Sequence, residues 1–178
     1  MRREFRFLED DYEFRPSEKR ETWSESVLYR NSTTFVSVTH DWRDAYTGVQ
    51  VGPLVNGEIP DYPIFVQDEE TVRWVDLIDI LEANELPAPE VGHRTKDASV
   101  DLAALAAAVR AHCPALLRGD FSMHAKAVPL ILARAHKGER EQEDWYERHV
   151  PRDAWRKEGH AIVIDTSKLN PTPPEGPD

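Results

Sequence analysis

Near the start of the chain, apolar and polar positions alternate in short runs. Val27-Leu28-Tyr29, Phe35-Val36-Ser37-Val38 and Val49-Gln50-Val51 are of β type and are separated by turn signals. Within 35–42, Val36, Val38, His40 and Trp42 alternate with Phe35, Ser37, Thr39 and Asp41. The first set is the more apolar, and the period of two predicts that it faces the core. Asn31-Ser32-Thr33 predicts a turn before this strand, and Asp44 to Gly48 a turn after it. Residues 49–54 predict a further strand that ends, or lies at an edge, at Pro53. Asn56-Gly57 predicts a tight turn, because both residues tolerate positive φ. The segment from Pro60 to Val66 reads as extended, with Ile64-Phe65-Val66 able to pair in the sheet.

Elsewhere the period is helical. Phe5, Leu8 and Tyr12 share a face over 4–12, and Pro16 stops that helix. The polar stretch 17–25 reads as a loop or frayed connection. Trp74, Leu77, Ile78 and Leu81 predict a helix over 69–85, with Asp68, Glu69 and Glu70 at its positive end. Pro87 and Pro89 end it and open a linker through Gly92 to about Asp97. Leu102, Leu105, Ala106 and Val109 predict a helix over 100–112, capped by Ser99 or Asp101. Pro114 begins a short turn that ends at Gly119. Val128, Ile131, Leu132 and Ala135 fit a helical face within 121–138, which Pro129 kinks or starts. A separate charged helix over 139–149 is anchored by Trp145, and residues 160–165 predict one more strand.

These elements predict an α+β fold: an antiparallel sheet of about four or five strands, from the N-terminal half and near residue 160, packed by several helices. They predict one domain over 1–165. Residues 166–178, with Pro171, Pro173, Pro174 and Pro177, predict a disordered tail.

Composition narrows the function classes. No apolar run approaches the roughly 18 residues that span a bilayer, so no membrane role is expected. The N-terminus carries charge without an apolar stretch after it, which argues against a signal peptide. The lone Cys113 excludes an intramolecular disulfide and fits a reducing, cytoplasmic setting. The net charge is −11. Residues 67–98 hold three basic and nine acidic side chains, whereas 99–138 hold five basic and two acidic. So acidic a chain is a poor match for phosphate neutralisation, and no nucleic-acid partner is expected.

Motifs for catalysis are weak. His112, His124 and His136 recur every twelve residues, with Cys113 and Asp120 nearby, but the spacing does not cluster ligands on one helix face. A small hydrolase or metal-dependent enzyme using the His112–His136 region is therefore the alternative reading. Cys113 is expected to be a small core residue rather than a nucleophile. His40 is expected to be structural, and Asp41 with Asp44 to be hairpin-turn residues. No glycine-rich phosphate loop occurs. No catalytic residue, metal or cofactor is assigned. Asp61, Tyr62, Phe65, Asp68, Glu69, Glu70, Asp76 and Asp79 combine carboxylates with aromatic rings beside Trp74, a composition suited to binding a protein partner. The expected function is a non-enzymatic interaction domain. A third possibility is a subunit of a larger assembly.

A resemblance sharpens this expectation. Phe7-Leu8-Glu9-Asp10-Asp11-Tyr12-Glu13-Phe14 resembles the F-L-x-x-x-Y-G-F opening of small bacterial α+β proteins, with Glu13 where that pattern has glycine. Leu28-Tyr29-Arg30-Asn31, Val36-Ser37-Val38 and Asp41-Trp42-Arg43-Asp44 resemble the hairpin that follows. Some of those proteins are similar to immunity proteins encoded beside polymorphic toxins. Over residues 5–85, the resemblance implies a non-catalytic protein, often acidic, that neutralises a toxin by direct contact; the acidic charge of this chain suits a basic toxin domain as that partner.

Overall fold

In the computed structural model, residues 1–44, 46–62, 68–89 and 98–169 are described, the side chains of 98–100 excepted. The fold is α+β. Its main sheet is a five-stranded antiparallel meander in the order β1-β2-β3-β4-β5, formed by β1 (Arg15–Arg20), β2 (Ser24–Arg30), β3 (Thr34–Asp41), β4 (Tyr46–Pro53) and β5 (Val75–Asp76). A separate two-stranded sheet joins β6 (Trp155–Glu158) to β7 (Ala161–Ile164). The helices are α1 (Arg6–Tyr12), α2 (Leu77–Ala83), α3 (Ala98–His112), α4 (Pro114–Leu117) and α5 (Ser122–His149). No helix among the described residues is long and apolar enough to cross a membrane.

The register follows the alternation of the sequence. Val27 pairs with Val38 and Tyr29 with Val36, and these continue to Val49 and Val51 on β4. This face is closed by Phe5 and Leu8, by Leu77, Ile80 and Leu81 of α2, by Leu102, Leu105 and Val109 of α3, and by Leu116 and Leu117 of α4, all buried. The same row runs on to His40 and Trp42, where burial fades: His40 is half-buried and Trp42 is 44% exposed. The alternation assigned the face correctly, but the core does not extend as far as Trp42.

The first strand replaces the expected loop at 17–25. β1 is almost wholly exposed and carries Arg15, Glu18, Lys19 and Arg20, with Pro16 opposite Tyr29. A charged edge strand with proline shows no alternation and is guarded against further pairing. The turn after β3 is also shorter than expected. Asp41 Oδ1 accepts from the Arg43 and Asp44 amides at 2.8 and 3.2 Å, and β4 already begins at Tyr46.

The Asn31 turn forms as expected and is held from both sides. Its Oδ1 accepts from the Thr33 and Thr34 amides, and its Nδ2 donates to the Leu117 carbonyl at 3.0 Å. The Asn56-Gly57 turn also forms, with φ of 54° and 79° and a Val55–Glu58 bridge. The pairing expected for Ile64-Phe65-Val66 and the far part of the 87–97 linker lie outside the described residues.

The expected helix over 69–85 begins only at Leu77. Asp68 and Thr71 close a turn instead: Asp68 Oδ1 accepts from the Thr71 amide at 2.9 Å, and the Thr71 hydroxyl donates to the Asp68 carbonyl at 2.8 Å. Val75 then pairs with Val51 and Asp76 with Gln50. Asp76 caps α2 by accepting from the Ile78 amide at 2.9 Å. A capping carboxylate with extended backbone sets the start of a helix more firmly than an apolar spacing does.

The described backbone forms two compact units, one within residues 1–132 and one within residues 133–169. α5 runs from the first into the second, and Pro129 lies inside it, so the two expected helices are one. The strand near residue 160 does not join the main sheet. It pairs with β6, whose charged Arg156-Lys157-Glu158 gave no strand signal, Trp155 opposing Ile164. Within this unit Tyr146 packs on Trp155 at 5.8 Å, Lys157 pairs with Glu143, and His160 pairs with Glu139 at 2.8 Å. Thr166–Lys168 forms a single 3-10 turn, with Lys168 Nζ donating to the Asp153 carbonyl at 2.8 Å. The first residues of the expected tail, 166–169, are thus ordered, and residues 170–178 lie outside the described residues.

Candidate functional site

The acidic and aromatic segment is built on the face of the sheet opposite the helices. Phe35 is fully buried there and meets Trp74, ring centroids 4.4 Å apart. The segment carrying Trp74 can lie this close because residue 52 is glycine: a Cβ there would stand 2.0 Å from the Arg73 carbonyl oxygen. The Trp74 indole N–H donates to the Pro60 carbonyl at 2.9 Å, which holds the chain leading to Tyr62. Tyr62 packs edge-on against Trp74 at 5.5 Å yet is 63% exposed. A large ring fixed from behind and open in front offers contact area at little further entropic cost.

The carboxylates divide into two groups. Asp61, Asp68, Glu69 and Glu70 are exposed. Asp76 is half-buried and structural: besides capping α2, its Oδ2 accepts from the Tyr46 hydroxyl at 2.8 Å. Burial raises the Asp76 carboxyl above the ordinary range, although the Ile78 amide and the Tyr46 hydroxyl oppose this. The same burial, with Asp76 alongside, raises the Tyr46 phenol. Asp79 is half-buried in the first turn of α2. Phe65 lies outside the described residues. The exposed part of the candidate surface is therefore Asp61, Tyr62, Asp68, Glu69 and Glu70.

No protein-family model matches the chain, and no curated protein or solved structure matches it either.

Behind the same turn is a depression of about 260 Å³, lined by Glu69, Val72, Arg73, Phe121, His124 and Val128 among others. His124 is 6% exposed, and its Nε2 finds no partner among the described residues. Burial lowers its pKa below the usual imidazole value; the nearby Arg73 charge lowers it further, against a hydrogen bond to the Arg73 backbone. Burial therefore favours the neutral ring. His112 is half-buried and His136 exposed. Among the described residues, no three His, Cys, Asp or Glu side chains gather as a metal site. Cys113 is fully buried, and burial pushes its thiol up to about 12, so it is not a ready nucleophile. The His40 Nδ1 bonds the Thr47 hydroxyl at 2.9 Å across the β3–β4 pair.

Two exposed tryptophans were not part of the sequence-based site. Trp23 is 61% exposed, and its carbonyl accepts from the Trp42 amide at 2.8 Å. Arg20 lies over the Trp42 ring at 5.9 Å. The signal was the pairing of Trp23 with Trp42, which becomes visible only once the strand register is known.

Proposed function

We propose that this chain is a non-enzymatic protein-interaction domain that presents an acidic surface to a basic protein partner, and specifically that it is an immunity protein neutralising a toxin by direct binding. The observation that carries the reading is Tyr62, exposed but packed on Trp74, which itself rests on Phe35, in a segment that also exposes Asp61, Asp68, Glu69 and Glu70. Anchored aromatics surrounded by carboxylates combine an apolar contact with electrostatic steering. The net charge of −11 adds long-range attraction for a cationic partner. A toxin that cleaves nucleic acid must itself engage phosphate and is accordingly basic. The resemblance of residues 5–85 to immunity proteins supports the same class.

The test is binding kinetics with the basic domain encoded beside this gene. Association should slow as salt rises from about 0.05 to 0.5 M, because screening shortens the reach of the charges. The variant Asp61→Lys/Glu69→Lys/Glu70→Lys should weaken binding mainly through the association rate, and Tyr62→Ala mainly through dissociation. Asp76 is unsuited to such a test, since its reversal would also remove the α2 cap. Salt-independent association, or full binding by the triple variant, refutes this surface.

A further inference from the structure

The second unit has little core of its own. Among residues 133–169, only Ala154 and Trp155 are buried, whereas Trp145, Ile164 and Leu169 are exposed. A two-stranded sheet with so small a core gains stability from additional strands. Its two edges differ. β6 carries Arg156, Lys157 and Glu158, which guard an edge. β7 reads Ala161-Ile162-Val163-Ile164, with neither charge nor proline.

The hydrogen-bond phase shows what β7 offers. The Asp165 amide donates to the Ala154 carbonyl at 2.8 Å, so residues 154 and 165 are a hydrogen-bonded pair. In an antiparallel ladder such pairs alternate. Arg156 with Val163, and Glu158 with Ala161, are then the other bonded pairs of this register. The N–H and C=O groups of Ile162 and Ile164 consequently point to the outer edge, where no strand pairs with them among the described residues.

We propose that β7 pairs with β7 of a second copy of this chain, antiparallel across a two-fold axis at Val163, to form a four-stranded sheet. A two-fold axis running through a strand edge makes the pairing antiparallel. Placed at Val163, it sets Ile162 opposite Ile164 of the second copy, and both residues present outward groups, so two bonded pairs close. The Ile162 and Ile164 side chains share a face with Trp155 and would join its apolar contact to that of the other copy. Charge favours this unit for self-association. Residues 133–169 carry eight basic and eight acidic side chains, whereas 1–132 carry fourteen and twenty-three and repel their like.

Sedimentation velocity of the full chain tests this. The expected species at about 100 µM has twice the 20.4 kDa chain mass. Ile162→Pro removes an amide that the hairpin does not use and should give a monomer with unchanged circular dichroism. If that variant loses structure, Ile164→Lys keeps the backbone donors, sets like charges near the axis and should likewise be monomeric. Binding through Tyr62 should persist in either variant, so loss of the dimer is distinguishable from loss of partner binding. A monomeric wild type at about 100 µM, or a folded variant that still dimerises, overturns the proposal.

Discussion

Glu13 shows how much one position can carry. It follows α1 with φ of 59° and ψ of 23°, and its amide reaches back to the Leu8 carbonyl. That is the left-handed helix stop usually made by glycine. A side chain there is strained, so Glu13→Gly should raise unfolding free energy by about 0.5–1 kcal/mol in urea denaturation, with the α1 contacts unchanged. His124 makes a prediction of a different kind. Burial holds its pKa below the usual 6.5 in the fold, against a hydrogen bond to the Arg73 backbone, while the unfolded chain regains the ordinary value. Below about pH 6.5 the unfolded state therefore binds more protons, and stability falls as pH decreases towards the folded pKa. Above that range the term vanishes. Urea melts from pH 8 to pH 5 should show this loss, and His124→Gln should flatten that part of the curve. An unchanged slope in the variant would assign the pH dependence to other groups.

At the scale of elements, α2 shows where a spacing rule and a cap disagree. Trp74, Leu77, Ile78 and Leu81 suggest a single helical face, but Trp74 stands before β5, outside the helix, and packs on the other side of the sheet. With Asp76 as the cap, the buried face becomes Leu77, Ile80 and Leu81, and Ile78 is only partly covered. Leu77→Ala should then cost about 3–5 kcal/mol and Ile78→Ala roughly half of that, measured by chemical denaturation. Equal losses would show that the helix face is rotated from the one described. β1 and β6 went unread for a related reason: both are short, charged strands whose side chains meet solvent, so nothing in them alternates.

For the whole molecule, stability should be unevenly spread. The first unit buries a continuous core from Phe5 to Val128, while among the described residues of the second only Ala154 and Trp155 are buried. Local opening follows buried contact. Hydrogen exchange on the intact chain at low micromolar concentration should show the amides of β6 and β7 exchanging well before those of β2, β3 and β4. Equal protection across both sheets would mean that the second unit is stabilised by more than its own described contacts.

Certain features depend only on local chemistry and were legible from the residues alone. The Asn31 and Asn56-Gly57 turns, the alternation that places Val36 and Val38 inward, the face of α3 and the burial of Cys113 belong to this group, because side-chain period and turn preference act within a few residues. The exposed carboxylates and Tyr62 were also legible as composition. Tertiary structure decided the rest. It made Asp76 a cap and a Tyr46 partner rather than a free surface charge, placed Trp74 across the sheet through the space left by Gly52, and gave the strand near residue 160 to a separate hairpin. It also left Trp42 open on a face that is buried four residues earlier, at Val38, and half-covered at His40. Each of these depends on which distant segment arrives beside a residue, and burial, register and partner choice are properties of that meeting.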